Sequence, residues 1–413
     1  MSAIIKIARR RKQAIASSFY LVLLLVYSLT WGQGVLIKGN IGQESDFLAT
    51  YTAARLVNAG YGQALYDPTT QTRFQHAIVR LHVPPADLLP FIHPPFFVLP
   101  FLPLGALPYT WAFIAMMVIN LALLLVTLRL FTIHLSELAT TSRVTIALAC
   151  FSFFPCFVNF IQGQNAIITL LILTITFSLL KQKRDGVAGA TLALGLYKPQ
   201  LNLVFALILL DKRRWRAVAA FVGMAILLVA LSYLIVGWQG FADYVRLTVT
   251  ESPLVDGAYG VNYPKMHNWR GFFRLLLGPN RSNEVNTIAT LASVITLLPL
   301  IWSWRGKWQP TETKFDLQFA LTIIVTLLIS PHLNTHDLTL WILVGALALN
   351  HTISRSLPRS KERIVKGLIA AGSPISLLTL PFSQIVPLQL TTVFMIILAA
   401  MLFLEIEQTA ASS

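Results

Sequence analysis

Apolar runs near the length that crosses a bilayer, about 17–25 residues, recur along the chain between short polar breaks. They fall at about 14–37, 110–131, 144–161, 165–180, 215–237, 286–304, 316–331, 336–350, 367–383 and 387–404. The stretch 186–210 has basic residues on both flanks, so it is expected to go in and come back, with its break at Pro199 and Lys198 near the tip. The run from 93 to 108 holds five prolines, and Pro90 lies just before it. Chain parity makes it the piece that does not cross. The pattern predicts an all-α polytopic membrane protein, one integral-membrane domain over 1–413 with roughly eleven to thirteen membrane helices.

Two long polar loops interrupt the pattern, at about 38–88 and 238–285. In the first, Phe47, Tyr51, Ala54, Leu56 and Val57, then Phe74, Ile78 and Val79, recur at helical spacing. Two short helices lying in the membrane interface are expected there. No internal repeat of the kind transporters often show is detectable.

Composition sharpens this picture. Hydrophobic residues make up 55% and charged residues 12%, with mean hydropathy +0.67, too few charges for a soluble domain of this size. The net charge of +15 is mostly topology, because 20 of the 32 Lys and Arg residues sit in five clusters between apolar runs. These are Lys6 to Lys12, Lys181 to Arg184, Lys212 to Arg216, Arg305 to Lys314 and Arg355 to Lys366. Basic clusters of this kind resist translocation and mark cytoplasmic ends, so no nucleic-acid partner is expected. The N-terminus is expected inside, both polar loops outside, and the first apolar run is expected to be an uncleaved helix. Cys150 and Cys156 share one apolar run and are expected to be free thiols.

Asp46 opens the amphipathic stretch just past the first span. A carboxylate at a membrane–water boundary suits a base serving a lipid-borne and a water-borne substrate together, although Asp also suits a helix N-cap. On the same predicted side lie Gln164 and Asn165, Lys198, Asn268 with Arg270, and His332, His336 and Asp337. A base, cations and amides from sequence-distant elements are the parts needed to move a group off a phosphate-linked donor. The blander readings stand beside these. Lys198 can snorkel, Gln164 and Asn165 can join helices, Arg270 can face headgroups, and Trp269 can anchor at the interface. Glu44 and Asp67 read as solvated loop charges, or as groups orienting an acceptor. His332 and His336 lie four apart, but no further cluster completes a metal shell, so no metal is expected.

The Asp46–Phe47 pair, the Gly60…Leu65-Tyr66-Asp67 turn and Pro94-Pro95 carry a resemblance. It continues through Gly163-Gln164-Asn165, Gly195…Lys198-Pro199 with Arg213-Arg214-Trp215-Arg216, and Ser330-Pro331…His336. In that order and spacing the chain resembles the family-87 glycosyltransferases of the GT-C class, which include polyprenol-phosphate-mannose-dependent mannosyltransferases. The resemblance implies a GT-C-like bundle, a polyprenol-phosphate sugar donor, a glycan or glycolipid acceptor, inversion at the anomeric carbon and no cofactor. It implies Asp46 as catalytic base, Lys198, His336 and Arg270 at the donor phosphate, and Gln164, Asn165 and Asn268 at the substrate. A bacterial plasma membrane, with the active site on its outer face, is the expected setting. The chain departs from the family at His93, often Tyr there, and at Asn334, often aromatic. The rival reading is a polytopic transporter or lipid flippase, which usually places its charges near the midplane.

Overall fold

The computed structural model describes residues 2–38, 45–79, 89–135, 143–250 and 263–411, and every regular element among them is helical. Glu44, Arg80 and Asp87, and part of the second polar loop, lie outside the described residues. The first half comprises α1 (Ser2–Lys38), α2 (Phe47–Asn58), α3 (Pro68–Val79), α4 (Leu102–Gly105), α5 (Tyr109–His134), α6 (Arg143–Phe151), α7 (Phe154–Ile161) and α8 (Ala166–Lys181). Then follow α9 (Asp185–Leu194), α10 (Pro199–Asp211), α11 (Trp215–Thr250), α12 (Trp269–Leu277) and α13 (Ser282–Ser303). The last four are α14 (Thr313–Ile329), α15 (Trp341–Ser354), α16 (Arg359–Ser383) and α17 (Leu390–Ala411).

Among the described residues, seven helices are long and apolar enough to cross a bilayer, or eight if the bent pair α6–α7 is one span. The chain is therefore a polytopic membrane protein. The expected eleven to thirteen elements also include shorter helices such as α8 and α10, which fall below that length. The proline-rich run forms a 3-10 helix, Pro95–Phe101, followed by α4. At about 2.0 and 1.5 Å per residue it spans too little to cross a ~30 Å core.

Two boundaries differ from the sequence pattern, each for a backbone reason. The run 144–161 is broken by 63° between α6 and α7, where Pro155 sits in the first turn of α7. Cys150 and Cys156 thus sit on two helices, both buried and free. Helix α11 does not stop at 237 but kinks there and continues to Thr250, because Gly237 takes φ 64°, ψ −172°, a conformation open only to glycine at low cost. The short helices α2 and α3 do occur in the first loop, but α2 is packed rather than laid on a surface, with Phe47, Leu48, Tyr51, Ala53, Ala54 and Leu56 all buried.

Helices α8 and α14 are apolar on nearly all sides and form the centre of the bundle, as expected for helices with no solvent-facing stripe. A smaller apolar cluster joins α2, the Pro95–Phe101 segment, Phe113 and Tyr197. Ion pairs brace one end of the bundle. Lys181 at the end of α8 pairs with Asp316 of α14 (2.6 Å), which also accepts from Asn350 of α15 (2.9 Å). Arg214 pairs with Asp185, and Lys361 with Glu405 (2.7 Å). The basic clusters from Lys181 onward gather at this end. The opposite end of α8, α10, α14 and α15 carries Asn165, Lys198, Ser330 and His336.

Helices α9 and α11 touch backbone to backbone at Gly189, where an added Cβ would lie 2.0 Å from the Ala217 carbonyl oxygen. Gly189→Ala is expected to cost roughly 1–3 kcal/mol through overpacking, read as a lower thermal unfolding midpoint. Gly223→Ala, with nothing within 4 Å of the new methyl, is expected to be neutral or slightly stabilising. Equal midpoints for the two variants would refute the contact.

Candidate active site

Asp46 occupies the N-cap position of α2 but does not cap it. Its backbone is already α-helical (φ −61°, ψ −18°) and its side chain makes no capping bond. Instead the Gln164 amide donates to Asp46 Oδ2 at 2.8 Å. The turn carrying Gln164 docks on the start of α2, where the Phe47 amide donates to the Gln162 carbonyl (3.0 Å). Gly163, at φ +59°, leaves no room for a Cβ against Phe47. Asn120 donates to the Gln164 carbonyl (3.0 Å) and fixes the turn from α5.

Behind this turn lies a second hydrogen-bonded layer. Asn165 Nδ2 donates to His93 Nε2 (3.1 Å), and His93 Nδ1 faces the Tyr197 carbonyl at 3.2 Å. These partners assign His93 as the neutral Nδ1–H tautomer. The Tyr197 hydroxyl donates to the Asn165 carbonyl (3.0 Å), and its ring stacks on Phe97 with centroids 4.1 Å apart. His93 thus ties the proline-rich run to the 162–165 turn and to the residue before Lys198.

Lys198 sits at the break between α9 and α10, as expected from Pro199, which takes the first position of α10. Its ammonium is buried and lies 2.5 Å from Asp337 Oδ1. Asp337 Oδ2 accepts the Asn334 amide at 3.1 Å, closing a capping box over the 3-10 helix Thr335–Leu340. His336 Nε2 is 3.7 Å from the same oxygen. Asp46 acts electrostatically on His336, and Lys198, Asp337 and His336 act on His93. The carboxylate and the lysine therefore share one neighbourhood. Within it Lys198, His336, Asp337 and Asn165 are buried, while Asp46, Gln164, His93, His332 and Asn334 are half-buried.

Asn268 and Arg270 both have partners within the protein. Asn268 is buried, accepts the Gly271 amide (2.7 Å) as N-cap of α12 and donates to the Ser330 carbonyl (2.7 Å). Arg270 donates to Asn286 Oδ1 (3.1 Å) and lies over the Tyr263 ring, though its charge reaches His332. Trp269 donates to Thr296 (3.0 Å). Asp67 caps α3 through Thr70 (2.8 Å to the amide), and those bonds hold its carboxyl below the usual value.

The sequence pattern put Asp337 on the outer side without pairing it, and it missed His267. Asp337, noted only beside a histidine pair, is the partner of Lys198. His267 is buried between Thr335 (2.8 Å) and Thr391 (2.7 Å), and its amide donates to the Leu333 carbonyl (3.0 Å). With Asn268 it grips the 330–335 loop at three points. Only its position beside the aromatic, basic stretch could have flagged it. Among the described residues no group of three or more His, Cys, Asp and Glu is arranged to hold a metal ion.

A family model, glycosyltransferase family 87, matches residues 91–331 of the 413. That span is more than half of the chain and includes His93, Gln164, Asn165, Lys198, Asn268 and Arg270. Asp46 precedes it, and His336 and Asp337 follow it. No curated protein and no solved structure matches.

Breaking a buried ion pair from one side typically costs about 3–5 kcal/mol, whereas replacing both partners is often near neutral. Lys198→Met is expected to destabilise by that order. Lys198→Met/Asp337→Asn, which keeps a side-chain oxygen for the cap, is expected to recover most of the loss in thermal unfolding. No recovery would argue against the pair.

Burial pushes His93 and His267 down to about 3 and His332 to about 4, against an ordinary value near 6.5. Below pH ~6.5 the unfolded chain takes up protons that the folded one refuses, so stability is lost as pH falls toward 4. Unfolding midpoints measured from pH 7.5 to 4.5 should drop, and His267→Gln should flatten that slope. A flat wild-type profile would contradict the neutral assignment.

Proposed function

The chain belongs to glycosyltransferase family 87, and from that premise we propose that it moves a sugar, a hexose such as mannose, from a polyprenol-phosphate donor to a glycan or glycolipid acceptor with inversion. The observation that carries the reading is the Asp46 carboxylate, released from helix capping, half-buried and held through Oδ2 by Gln164, in the neighbourhood of the buried Lys198–Asp337 pair. The acceptor hydroxyl oxygen attacks the anomeric carbon from the face opposite the phosphate. Its proton passes to Asp46, the carbon–oxygen bond to phosphate breaks, and the electron pair leaves on polyprenol phosphate. Gln164 orients the base, and a positioned base of this kind contributes about 10²–10⁴-fold.

Asp337 neutralises much of the charge on Lys198, so this lysine is not a bare cation awaiting phosphate. An ammonium has three N–H donors, and Asp337 occupies one of them. Lys198 can therefore donate to a phosphate oxygen while keeping its partner. His332 and His336 supply further ring nitrogens, and Arg270 adds positive charge from behind. Asn165 positions His93, and Asn268 holds the loop that carries the histidines, so we assign both to support rather than to substrate contact. The basic clusters favour the braced end as cytoplasmic and the Asp46 end as the outer face, in a plasma membrane of bacterial type.

In membranes carrying the protein and given a radiolabelled polyprenol-phosphate sugar, Asp46→Asn is expected to lower turnover at least ~100-fold with expression intact. Unchanged turnover would remove Asp46 as the base. In Lys198→Met/Asp337→Asn the KM for donor should rise more than that for acceptor, and equal rises would contradict a phosphate contact.

A further inference from the structure

A cavity of about 380 Å³ lies away from the Asp46 cluster, and none of Asp46, Lys198 or His336 lines it. It follows nearly the whole length of α15, from Trp341 through Gly345 and Ala348 to Thr352, between α16, α17 and α6. Fourteen residues of α-helix rise about 21 Å, more than the ~15 Å depth of one leaflet's hydrocarbon. The walls are apolar for most of this length. Ile364 and Leu404, which line it, are 50% and 57% exposed, so the cavity opens sideways to lipid.

Ser152 and Ser373 line the Trp341 end, and the charged residues of the lining gather at the other. His351, Thr352, Lys361, Glu405 and Gln408 close it at the braced end of the bundle, where Lys361 donates to both Glu405 (2.7 Å) and Gln408 (2.8 Å). The connection beside this mouth and the first turns of α16, residues 355–366, carry Arg355, Arg359, Lys361, Arg363 and Lys366 against one acid, Glu362, which is itself paired with Lys366. Arg359 and Arg363 are exposed. An apolar slot one leaflet deep, ending at a basic rim between membrane helices, matches an anionic lipid in both shape and charge.

The geometry points to a binding site for an anionic glycerophospholipid of the leaflet at the braced end, with an acyl chain along α15 and its phosphate at the 355–366 rim. The site is separate from the Asp46 cluster and does not depend on the glycosyltransferase reaction. Its far end reaches Trp341, which directly follows the 3-10 helix carrying His336 and Asp337. An occupied slot therefore steadies the helix that extends from the candidate active site.

The test uses the full-length protein in phosphatidylcholine vesicles containing brominated phosphatidylglycerol, whose mid-chain bromine quenches nearby tryptophan. Trp341's share of the fluorescence is the difference between wild type and Trp341→Phe. Quenching of that share should favour brominated phosphatidylglycerol over brominated phosphatidylcholine by roughly tenfold in lipid fraction. Arg359→Gln/Arg363→Gln, which alters exposed side chains only, should bring the two lipids close to parity. Ala348→Phe, which fills the slot midway, should abolish the quenching. Equal quenching by both lipids in wild type, or quenching unaffected by Ala348→Phe, would overturn the site. So would quenching by a brominated polyprenol phosphate but not by phosphatidylglycerol.

Discussion

A lysine buried at a helix break within a membrane protein must find its counter-charge in the protein, because the surrounding lipid offers none. Lys198 finds it in Asp337, 2.5 Å away on a connection 139 residues further along the chain. That pair fixes the tip of the α9–α10 hairpin against the α14–α15 connection. Much of the neighbouring polar structure follows from it. Asp337 must be aimed, so Asn334 and the capping box hold it. The connection must be still, so His267 and Asn268 grip it at Ser330, Leu333 and Thr335.

The same pair sets the electrostatics that any chemistry here must use. With Lys198 compensated by Asp337, and with burial lowering the proton affinity of His93 and His332, the site carries little uncompensated positive charge. An incoming phosphate would then be held by oriented N–H donors. In a low-dielectric site pre-oriented donors are worth more than in water, since no solvent must reorganise when charge shifts. Asp46 fits this scheme because it is half-buried, within reach of water, while the Gln164 amide holds its Oδ2.

Hydropathy made the long helices legible, because a lipid-facing segment must be apolar over its full length. The Pro199 break was legible too, since proline's missing amide announces it. The Gly237 kink was not, because glycine permits a left-handed residue without requiring one, and nothing in the surrounding apolar run marks the position. The link between Asp46 and Gln164 was legible only as a shared side of the membrane. The partners of Asn268 were not legible either. Its placement in the outer loop suited a substrate ligand, and its amide also bonds Gly271 and Ser330. Side-chain amides are interchangeable between capping and recognition, and only the partners decide.

The family match covers residues 91–331 and so leaves out Asp46, His336 and Asp337. Their place in the site rests on contacts, each of which runs to a residue inside the matched span. Asp46 is held by Gln164, Asp337 by Lys198, and the loop bearing His336 by His267 and Asn268. The central helices explain why such contacts meet at one end. Helices α8 and α14, with 16 and 17 residues, are shorter than their neighbours α13 and α17, with 22 each. Their far ends are pinned together by Lys181, Asp316 and Asn350. A core anchored at one end and short in length must stop early at the other, and the loops that bridge that end carry the polar groups. The site is polar because the bundle's centre runs out of helix there, and it is well ordered because the same two helices are buried on nearly every side.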